Sequence, residues 1–378
     1  MQSGSENIVK RTGVSVIQFN LALAYARACV PDGTLSPRPL NDLEENMSDP
    51  NQEFQPPPPP AIEAPPERRR PANMLIIGIV LLVLGIAILV AGVAKIVVGG
   101  LGTGAVVACL GVLLFALSFV RLPEVGPNAP APLGVFDRIA GIFYEPTRVF
   151  KNLRSYPRWV AGLLVIAILN VAYIAAFTQR LTPERILNYT VDKMAESPLI
   201  PPEAVDKART EGLEQARSPV FRAGNAVKGI IGAFFFMAFL AALYLLGGLA
   251  FGGRINFWQA MAIAVYATLP VIIIQKVLSF ILLYIKSPDD IHPLLGQESL
   301  IQDNLGVLFA PKDHPVLFVA ATSIGVLSFY KLWLVAKGLH EGSEKISSSA
   351  AWGVAVTIWV LGLLFAVGIT AIFPSFIS

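Results

Sequence analysis

The stretch from residue 226 to residue 285 constrains the fold of this chain most strongly. It contains two apolar runs, 226–251 and 257–285, whose only charged residues are Lys228 and Lys276. A short turn from Phe251 to Asn256 joins the runs. Because a helix rises about 1.5 Å per residue, each run can cross a hydrocarbon layer of about 30 Å. Helices satisfy their own backbone hydrogen bonds in lipid, so the stretch predicts a transmembrane hairpin.

The composition agrees with a membrane protein. The chain is 54% hydrophobic and 15% charged, whereas soluble proteins carry about 25% charged residues. A net charge of +3 is too small to indicate a nucleic-acid partner. The two cysteines, Cys29 and Cys109, lie in unrelated segments, and we predict neither a metal site nor a cofactor.

The remaining apolar runs complete the predicted fold, an all-α polytopic transmembrane bundle of about seven spans. Residues 74–121 form a first hairpin that precedes the other predicted spans. Five further spans are predicted near 159–178, 226–251, 257–285, 315–335 and 350–373. The polar segment 179–224 should form an external loop with two short helices, which begin at Pro183 and Pro202.

The N-terminal segment 1–73 is rich in proline and is predicted to be a disordered cytoplasmic tail. Arg68, Arg69 and Arg70 directly precede the first span, which places the tail in the cytoplasm by the positive-inside rule. The tail is either a flexible spacer or a polyproline ligand. Residues 1–46 lack a coherent pattern, and Met47 is a candidate for the true start.

Small residues recur every seven positions in the first hairpin. Gly78, Gly85, Gly92 and Gly99 make one stripe, and Gly104, Gly111 and Ser118 make the other. Such stripes allow two helices to approach closely at a shallow crossing angle. We interpret the two arms as packing on each other, and dimerisation of two chains through the stripes is the alternative.

Residues 122–158 contain a proline-rich linker and then a basic amphipathic helix. Its apolar face is formed by Phe136, Ile139, Phe143, Val149, Phe150 and Leu153, and its basic face by Arg138, Arg148, Lys151, Arg154 and Arg158. We predict a break at Pro146 and a position in the headgroup layer, where anionic lipids attract the basic face. Packing of the helix on the bundle is the alternative.

Two short motifs in this chain resemble a known family. The first is Gly252-Gly253-Arg254-Ile-Asn-Phe-Trp-Gln-Ala, followed by Tyr266-Ala-Thr-Leu-Pro270, and the second is Phe143-Tyr144-Glu145-Pro146. They resemble the Yip domain of Ypt/Rab-interacting membrane proteins, and the likeness covers residues 136–373. The resemblance implies a five-span domain with a cytosolic N-terminus and an external C-terminus.

That resemblance also sets the expected location and role. The extra glycine-striped hairpin and the long external loop are departures from the family and favour a bacterial member in the cytoplasmic membrane. A eukaryotic member would lie in Golgi or ER membranes, with a role in vesicle traffic. The candidate positions are Glu145, Pro146, Gly252, Gly253, Arg254, Tyr266 and Pro270.

The apolar runs contain no Asp or Glu, which argues against proton-coupled or hydrolytic chemistry at membrane depth. We therefore predict no catalytic residues and a non-enzymatic protein that organises membranes or binds partners. The expected partners are the lipid bilayer, anionic lipids at the basic helix and proteins that bind the cytoplasmic tail. Self-association through the glycine stripes remains open.

Gln275 and Lys276 support a rival function. A lysine in hydrocarbon needs a partner or must reach an interface, so Lys276 either snorkels to the outer headgroups or forms an ion or lipid-headgroup site. With Asn170 it would line the polar path of a channel or transporter for a small solute or lipid. Pro270 should kink its helix, and Thr268 or a neighbouring helix should satisfy the freed carbonyl of Tyr266.

Overall fold

The computed structural model describes residues 74–97, 99–126, 129–196 and 200–374. The N-terminal tail, including Met47, lies outside the described residues, so the predictions for it stay predictions. The described residues form helices and contain no strand beyond two isolated bridges. The helices are α1 Met74–Val93, α2 Gly100–Leu117, α3 Val135–Tyr144, α4 Pro146–Ser155, α5 Val160–Leu181, α6 Pro183–Ala195, α7 Pro202–Arg217, α8 Pro219–Ala250, α9 Phe257–Ile285, α10 Leu295–Glu298, α11 Pro315–Thr322, α12 Val326–Glu341 and α13 Ser348–Ile372.

Six of these helices are long and apolar enough to cross a membrane, and they are α1, α2, α5, α8, α9 and α13. The all-α, multi-pass architecture predicted from the sequence is therefore confirmed. The predicted short helices of the external loop are also present, since α6 and α7 begin at Pro183 and Pro202. Helix α8 begins at Pro219, before the predicted start at residue 226, and the Ser218 hydroxyl accepts from the Phe221 amide at its N-terminus.

The segment predicted as a span at 315–335 is not one continuous helix, because the chain breaks there between α11 and α12. The Asp303 carboxylate accepts a hydrogen bond from the Leu327 amide at 2.8 Å, and the Asp303 carbonyl accepts from the Val326 amide at 3.2 Å. The first amides of a helix lack partners within it, so Asp303 caps the start of α12. The break is thus stabilised by a residue on a different segment of the chain.

Helix α9 is the centre of the bundle. Its residues 258–271 are continuously buried, and it packs against α5, α8 and α12. The Trp258 ring stacks on Trp159 with a centroid distance of 6.2 Å and an interplanar angle of 4°. A Cβ at Gly162 of α5 would lie 2.8 Å from Val265, so the absence of a side chain there allows the two helices to pack closely. The helix that was predicted to end the central hairpin therefore forms the core.

The glycine stripes of the first hairpin face each other. A Cβ added at Gly78 would lie 2.7 Å from the backbone nitrogen of Phe115, and one added at Gly85 would overlap the backbone of Ala108. Gly92, Gly104 and Gly111 are equally close to the opposite arm. The interpretation that the arms pack on each other is confirmed. The stripes are occupied within one chain, which leaves them unavailable for dimerisation.

Helices α3 and α4 pack on the bundle, against α9 and α12. They separate at Glu145 as the predicted break requires, and Phe150 and Ile142 are fully buried. Two placements in the amphipathic prediction are wrong: Arg138, assigned to the basic face, is 2% exposed, and Phe136, assigned to the apolar face, is 86% exposed. The Arg138 side chain instead donates to the Gly134 carbonyl at 3.3 Å.

Candidate functional site

The end of the bundle that holds the turn 251–256 contains an open groove of about 1050 Å³, which we name the basal groove. Four segments line it: the linker after α2, helix α4, the turn itself and the loop between α12 and α13. Its charged and titratable lining consists of Glu124, Lys151, Arg154, Arg254, His340, Glu341, Glu344 and Lys345. The groove therefore gathers charged residues that are far apart in the sequence.

The turn needs both of its glycines. Gly252 has a φ of +73°, a left-handed conformation that glycine adopts without steric cost. Gly253 is buried, and a Cβ there would overlap the Ile346 side chain. This close approach allows Arg254 and Glu344 to form a short antiparallel bridge, with N to O distances of 2.7 and 2.9 Å. The turn is thereby fixed to the loop between α12 and α13.

Glu344 is the electrostatic centre of the groove. The Arg154 guanidinium donates to its carboxylate at 2.8 Å. This hydrogen bond, together with the charges of Arg154, Arg254 and Lys345, lowers the pKa of Glu344 below its usual value despite slight burial. The carboxylate is therefore ionised at neutral pH and is already paired. Arg254 and Lys345 have no ion pair of their own within the described part of the chain.

A capping box fixes the start of α9 beside the groove. The Asn256 side chain accepts from the Trp258 amide at 2.9 Å, and the Gln259 side chain accepts from the Asn256 amide at 2.8 Å. The remaining amide protons reach other segments: Asn256 donates to the Arg121 carbonyl at 2.7 Å, and Gln259 donates to the Arg154 carbonyl at 2.8 Å. Two side chains thus join the turn to the linker and to α4.

The motif residues Glu145 and Pro146 lie in a second groove, which adjoins the basal groove. Pro146 is buried at the first position of α4, and the Glu145 carboxylate accepts from Arg148 at 3.0 Å. Asn152 holds the linker over this helix through bonds to the Leu133 amide and the Ala131 carbonyl. These residues therefore shape the wall between the two grooves and do not enter the basal groove themselves.

Tyr266 and Pro270 belong to the core. The Tyr266 ring is fully buried, and its hydroxyl donates to the Arg158 carbonyl at 3.4 Å. Pro270 is buried within an unbroken α9. Of the two predicted partners for the carbonyl freed by Pro270, Thr268 or a neighbouring helix, Thr268 is excluded, because its hydroxyl has no hydrogen-bond partner among the described residues.

Lys276 is 4% exposed, so the predicted snorkelling to the outer headgroups is wrong. Its ammonium donates to the Glu298 carbonyl at 2.6 Å and lies 4.5 Å from the centroid of the Tyr173 ring. The Tyr173 hydroxyl in turn donates to the Gly296 carbonyl at 2.6 Å. Lys276 thus fastens the loop 286–314 to the bundle, while the neighbouring Gln275 is half-buried.

The polar path of the transport hypothesis is not assembled in one cavity. Asn170 lines a cavity of about 1330 Å³ between α5, α6 and α8, which we name the lateral cavity. Neither Gln275 nor Lys276 lines it. The Asn170 side chain donates to the carbonyl of Ile166 on its own helix at 2.9 Å. Asn170 and Lys276 therefore belong to different environments.

His292 orders the loop at the same end as Lys276. Its Nδ1 accepts from the amides of Leu294 and Leu295 at 3.2 and 3.1 Å, and its Nε2 lies 3.0 Å from the Tyr189 hydroxyl. Burial, with added repulsion from Lys193 and Lys312, lowers the pKa of His292. The accepting Nδ1 requires the neutral ring.

The sequence reading missed several residues of the basal groove. The pattern Asn256-x-x-Gln259 before an apolar run is a recognisable capping signal. The pairing of Arg154 with Glu344 joins residues 190 positions apart and has no local signal.

Comparison with known proteins agrees with the motifs. The family model described as Yip1 domain matches residues 140–369, which is more than half of the chain. No curated protein and no solved structure shows a significant match. The matched range begins within α3 and ends within α13, so it contains α9, the turn and most of the basal groove. The chain therefore belongs to the Yip1 domain family of membrane proteins.

Proposed function

We propose that this protein is a non-enzymatic membrane organiser that binds a protein partner at the basal groove. One observation carries the proposal: the turn that contains Arg254 meets α4 and the loop with Glu344 around a single open groove. The bonds that hold these segments use backbone groups, amides and two ion pairs, Arg154–Glu344 and Lys151–Glu341. They leave cationic side chains at the rim for a partner.

The partner surface that fits best is an acidic segment of a protein. Arg254 and Lys345 are exposed and have no ion pair among the described residues, whereas Glu344 is already neutralised by Arg154. Lys345 is also held at a φ of +63°, a conformation that costs a residue with a side chain about 1 kcal/mol. Complementary charge at such a rim speeds encounter and selects the partner.

The distribution of basic residues supports a cytoplasmic position for the groove. The segments on its side of the bundle, 121–158, 252–256 and 337–345, carry nine Lys and Arg residues. The short connections at the other end, 94–99 and 286–314, carry three. The longer excursion 182–218 is mixed, with five Lys and Arg residues against seven Asp and Glu residues. By the positive-inside rule the basal groove faces the cytoplasm, in agreement with a cytoplasmic N-terminus.

The test is a quantitative pull-down from native membranes with three chains: the unaltered protein, Arg254→Glu and Lys312→Glu. Arg254→Glu reverses a groove charge while the backbone bridge to Glu344 remains possible. Lys312→Glu makes the same charge change at the other end of the bundle, where Lys312 is exposed. We expect Arg254→Glu to deplete a specific set of proteins that Lys312→Glu retains.

A chain that lacks every residue before Met74 separates the groove from the tail. If the depleted proteins remain bound to this truncated chain, the groove is the docking site. If truncation removes them while Arg254→Glu retains them, the partner binds the tail and the groove proposal fails. Equal recovery by all four chains would remove the partner-binding proposal altogether.

A further inference from the structure

The lateral cavity has features that neither the family nor the basal groove explains. Helices α5 and α8 both turn a face of mainly small and apolar residues towards it, yet the two faces are separated by open space. A Cβ added at Gly229 or Gly232 of α8 would meet nothing within 4 Å. The volume of about 1330 Å³ exceeds the roughly 300–1,000 Å³ of common small-molecule sites. The space is large enough for part of a membrane lipid.

The cavity lies at the depth of the hydrocarbon layer. Helix α5 starts at Val160 on the basal side, and the residues from Ala167 to Thr178 line the cavity at helical spacing. At about 1.5 Å per residue this lining covers about 16 Å, from the middle of the membrane to its far interface. Helix α8 runs in the opposite direction and contributes Phe236 at the deep end and Asn225 at the far end.

Polarity changes along this axis. The deep part is lined by Ala167, Val171, Gly232, Ala233 and Phe236, with the self-bonded Asn170 as the exception. The far part is lined by Thr178, Gln179, Thr190, Asn225 and two charged residues, Glu184 and Arg222. Glu184 is engaged in an interaction of its own. The Arg222 guanidinium is exposed and forms no ion pair or side-chain hydrogen bond in the described ranges. A cation at the mouth of an apolar cavity complements an anionic head on an apolar tail.

A helix from a second chain is the other group that could fill the cavity within a membrane. The residues that cover the far end of the cavity, its roof, exclude such a helix. Residues of α6, among them Leu187 and Thr190, cover the far end together with Gln297 of the loop 286–314. A spanning helix with a diameter of about 10 Å would have to pass through this roof, whereas a lipid ends at the headgroup level.

We propose that the lateral cavity binds a phospholipid, with an acyl chain against the small residues of α5 and α8 and its phosphate beside Arg222. The site holds the lipid between two spanning helices and below α6. Binding there is distinct from contact with the lipids that surround the bundle, because the lateral cavity places the Arg222 cation at the mouth of an apolar recess.

The experiment uses the full chain in nanodiscs that contain phosphatidylglycerol and a small fraction of the same lipid with a diazirine on its acyl chain. After illumination, labelled peptides are quantified by mass spectrometry. The cavity variant is Gly232→Leu, which fills open space, and the matched control is Gly368→Leu on α13, where an added Cβ also meets nothing within 4 Å. We expect both variants to fold, since an added Cβ at either position meets no other atom within 4 Å.

We expect the label to concentrate on the α5 and α8 peptides. Gly232→Leu should lower that label by about tenfold, the effect of losing the burial of about two methylene groups, and Gly368→Leu should not. A uniform label over all spans, or equal labelling of the two variants, would overturn the proposal. Cross-links between lining peptides of two chains would also overturn it, in favour of a helix interface.

The headgroup contact has a separate test that does not alter the packing. Arg222→Gln keeps most of the side-chain length and removes the charge, and Lys286→Gln removes an exposed charge at the same end of the bundle. Arg222→Gln should lower the cavity label severalfold while Lys286→Gln leaves it unchanged. Equal labelling by these two variants would show that no phosphate lies beside Arg222, and the proposal would fail in that form.

Discussion

Replacing Lys276 by methionine is the sharpest test of how the loop 286–314 is held. Methionine matches the length of the lysine stem but can neither donate to the Glu298 carbonyl nor place a cation over the Tyr173 ring. The substitution therefore removes two contacts, at 2.6 Å and 4.5 Å, without opening a large cavity. We expect the loop to open more often, while the spanning helices remain packed.

The size of the effect follows from those contacts. A hydrogen bond from a charged donor contributes about 1.5–3 kcal/mol, and a cation over an aromatic ring contributes about 0.5–2 kcal/mol. Methionine avoids the cost of burying an ammonium, which offsets part of this sum. A loss of about 2 kcal/mol in the free energy of loop opening is the result, and it corresponds to about thirtyfold faster amide exchange.

Hydrogen exchange with mass spectrometry measures this directly on the peptides that cover residues 295–302. The control is Lys286→Met, because Lys286 is exposed at the end of α9. Exchange that is accelerated in Lys276→Met and unchanged in Lys286→Met supports the anchoring role. Unchanged exchange in Lys276→Met would show that the ammonium is solvated, and the reasoning from burial would be refuted.

Three further predictions follow from other contacts. Gly85→Leu should destabilise the hairpin by about 3 kcal/mol or more, because its side chain would overlap Ala108, and cross-linking should show an unchanged oligomeric state. The pKa of His292 is lowered on folding, so the stabilising contribution of this residue is present above about pH 6.5 and is lost as the pH falls. The variant His292→Asn keeps an acceptor near the position of Nδ1 but does not titrate. Its melting temperature should therefore drop less on acidification than that of the unaltered protein. Glu344→Gln should cost less than about 1 kcal/mol in denaturation at neutral pH, since both partners of its ion pair are more than 40% exposed.

The sequence predicts the spanning helices well because their signal is local. Length and apolarity identify α1, α2, α5, α8, α9 and α13, and the seven-residue glycine spacing predicts how the first two pack. The break between α11 and α12 has no such signal. The sequence around Ser323 to Gly325 stays apolar enough to be taken for one continuous span. The residue that caps α12, Asp303, lies 24 positions before Leu327. A tertiary hydrogen bond decides where that helix starts.

The candidate site also combines residues that a local sequence motif predicts with residues that no local pattern predicts. Gly252, Gly253 and Arg254 were predicted from a motif, and all three belong to the turn beside the basal groove. Tyr266 and Pro270, from the same motif, are core residues that position α9. The charges that complete the groove come from elements that are distant in sequence, so no pattern in a short window could assemble them.

The charges at the two ends of the bundle have different roles, and this difference favours the proposed docking at the basal groove over the transport hypothesis. At the far end, the buried Lys276 is fully engaged by Glu298 and Tyr173, so its charge serves to hold a loop. At the basal end, the backbone bridge at Arg254 holds the turn and leaves the guanidinium free. A cation that is needed for packing cannot also bind a solute without opening the structure, whereas a cation at an open rim binds at no such cost. The transport hypothesis therefore requires the loop 286–314 to detach, and docking at the basal groove requires no rearrangement.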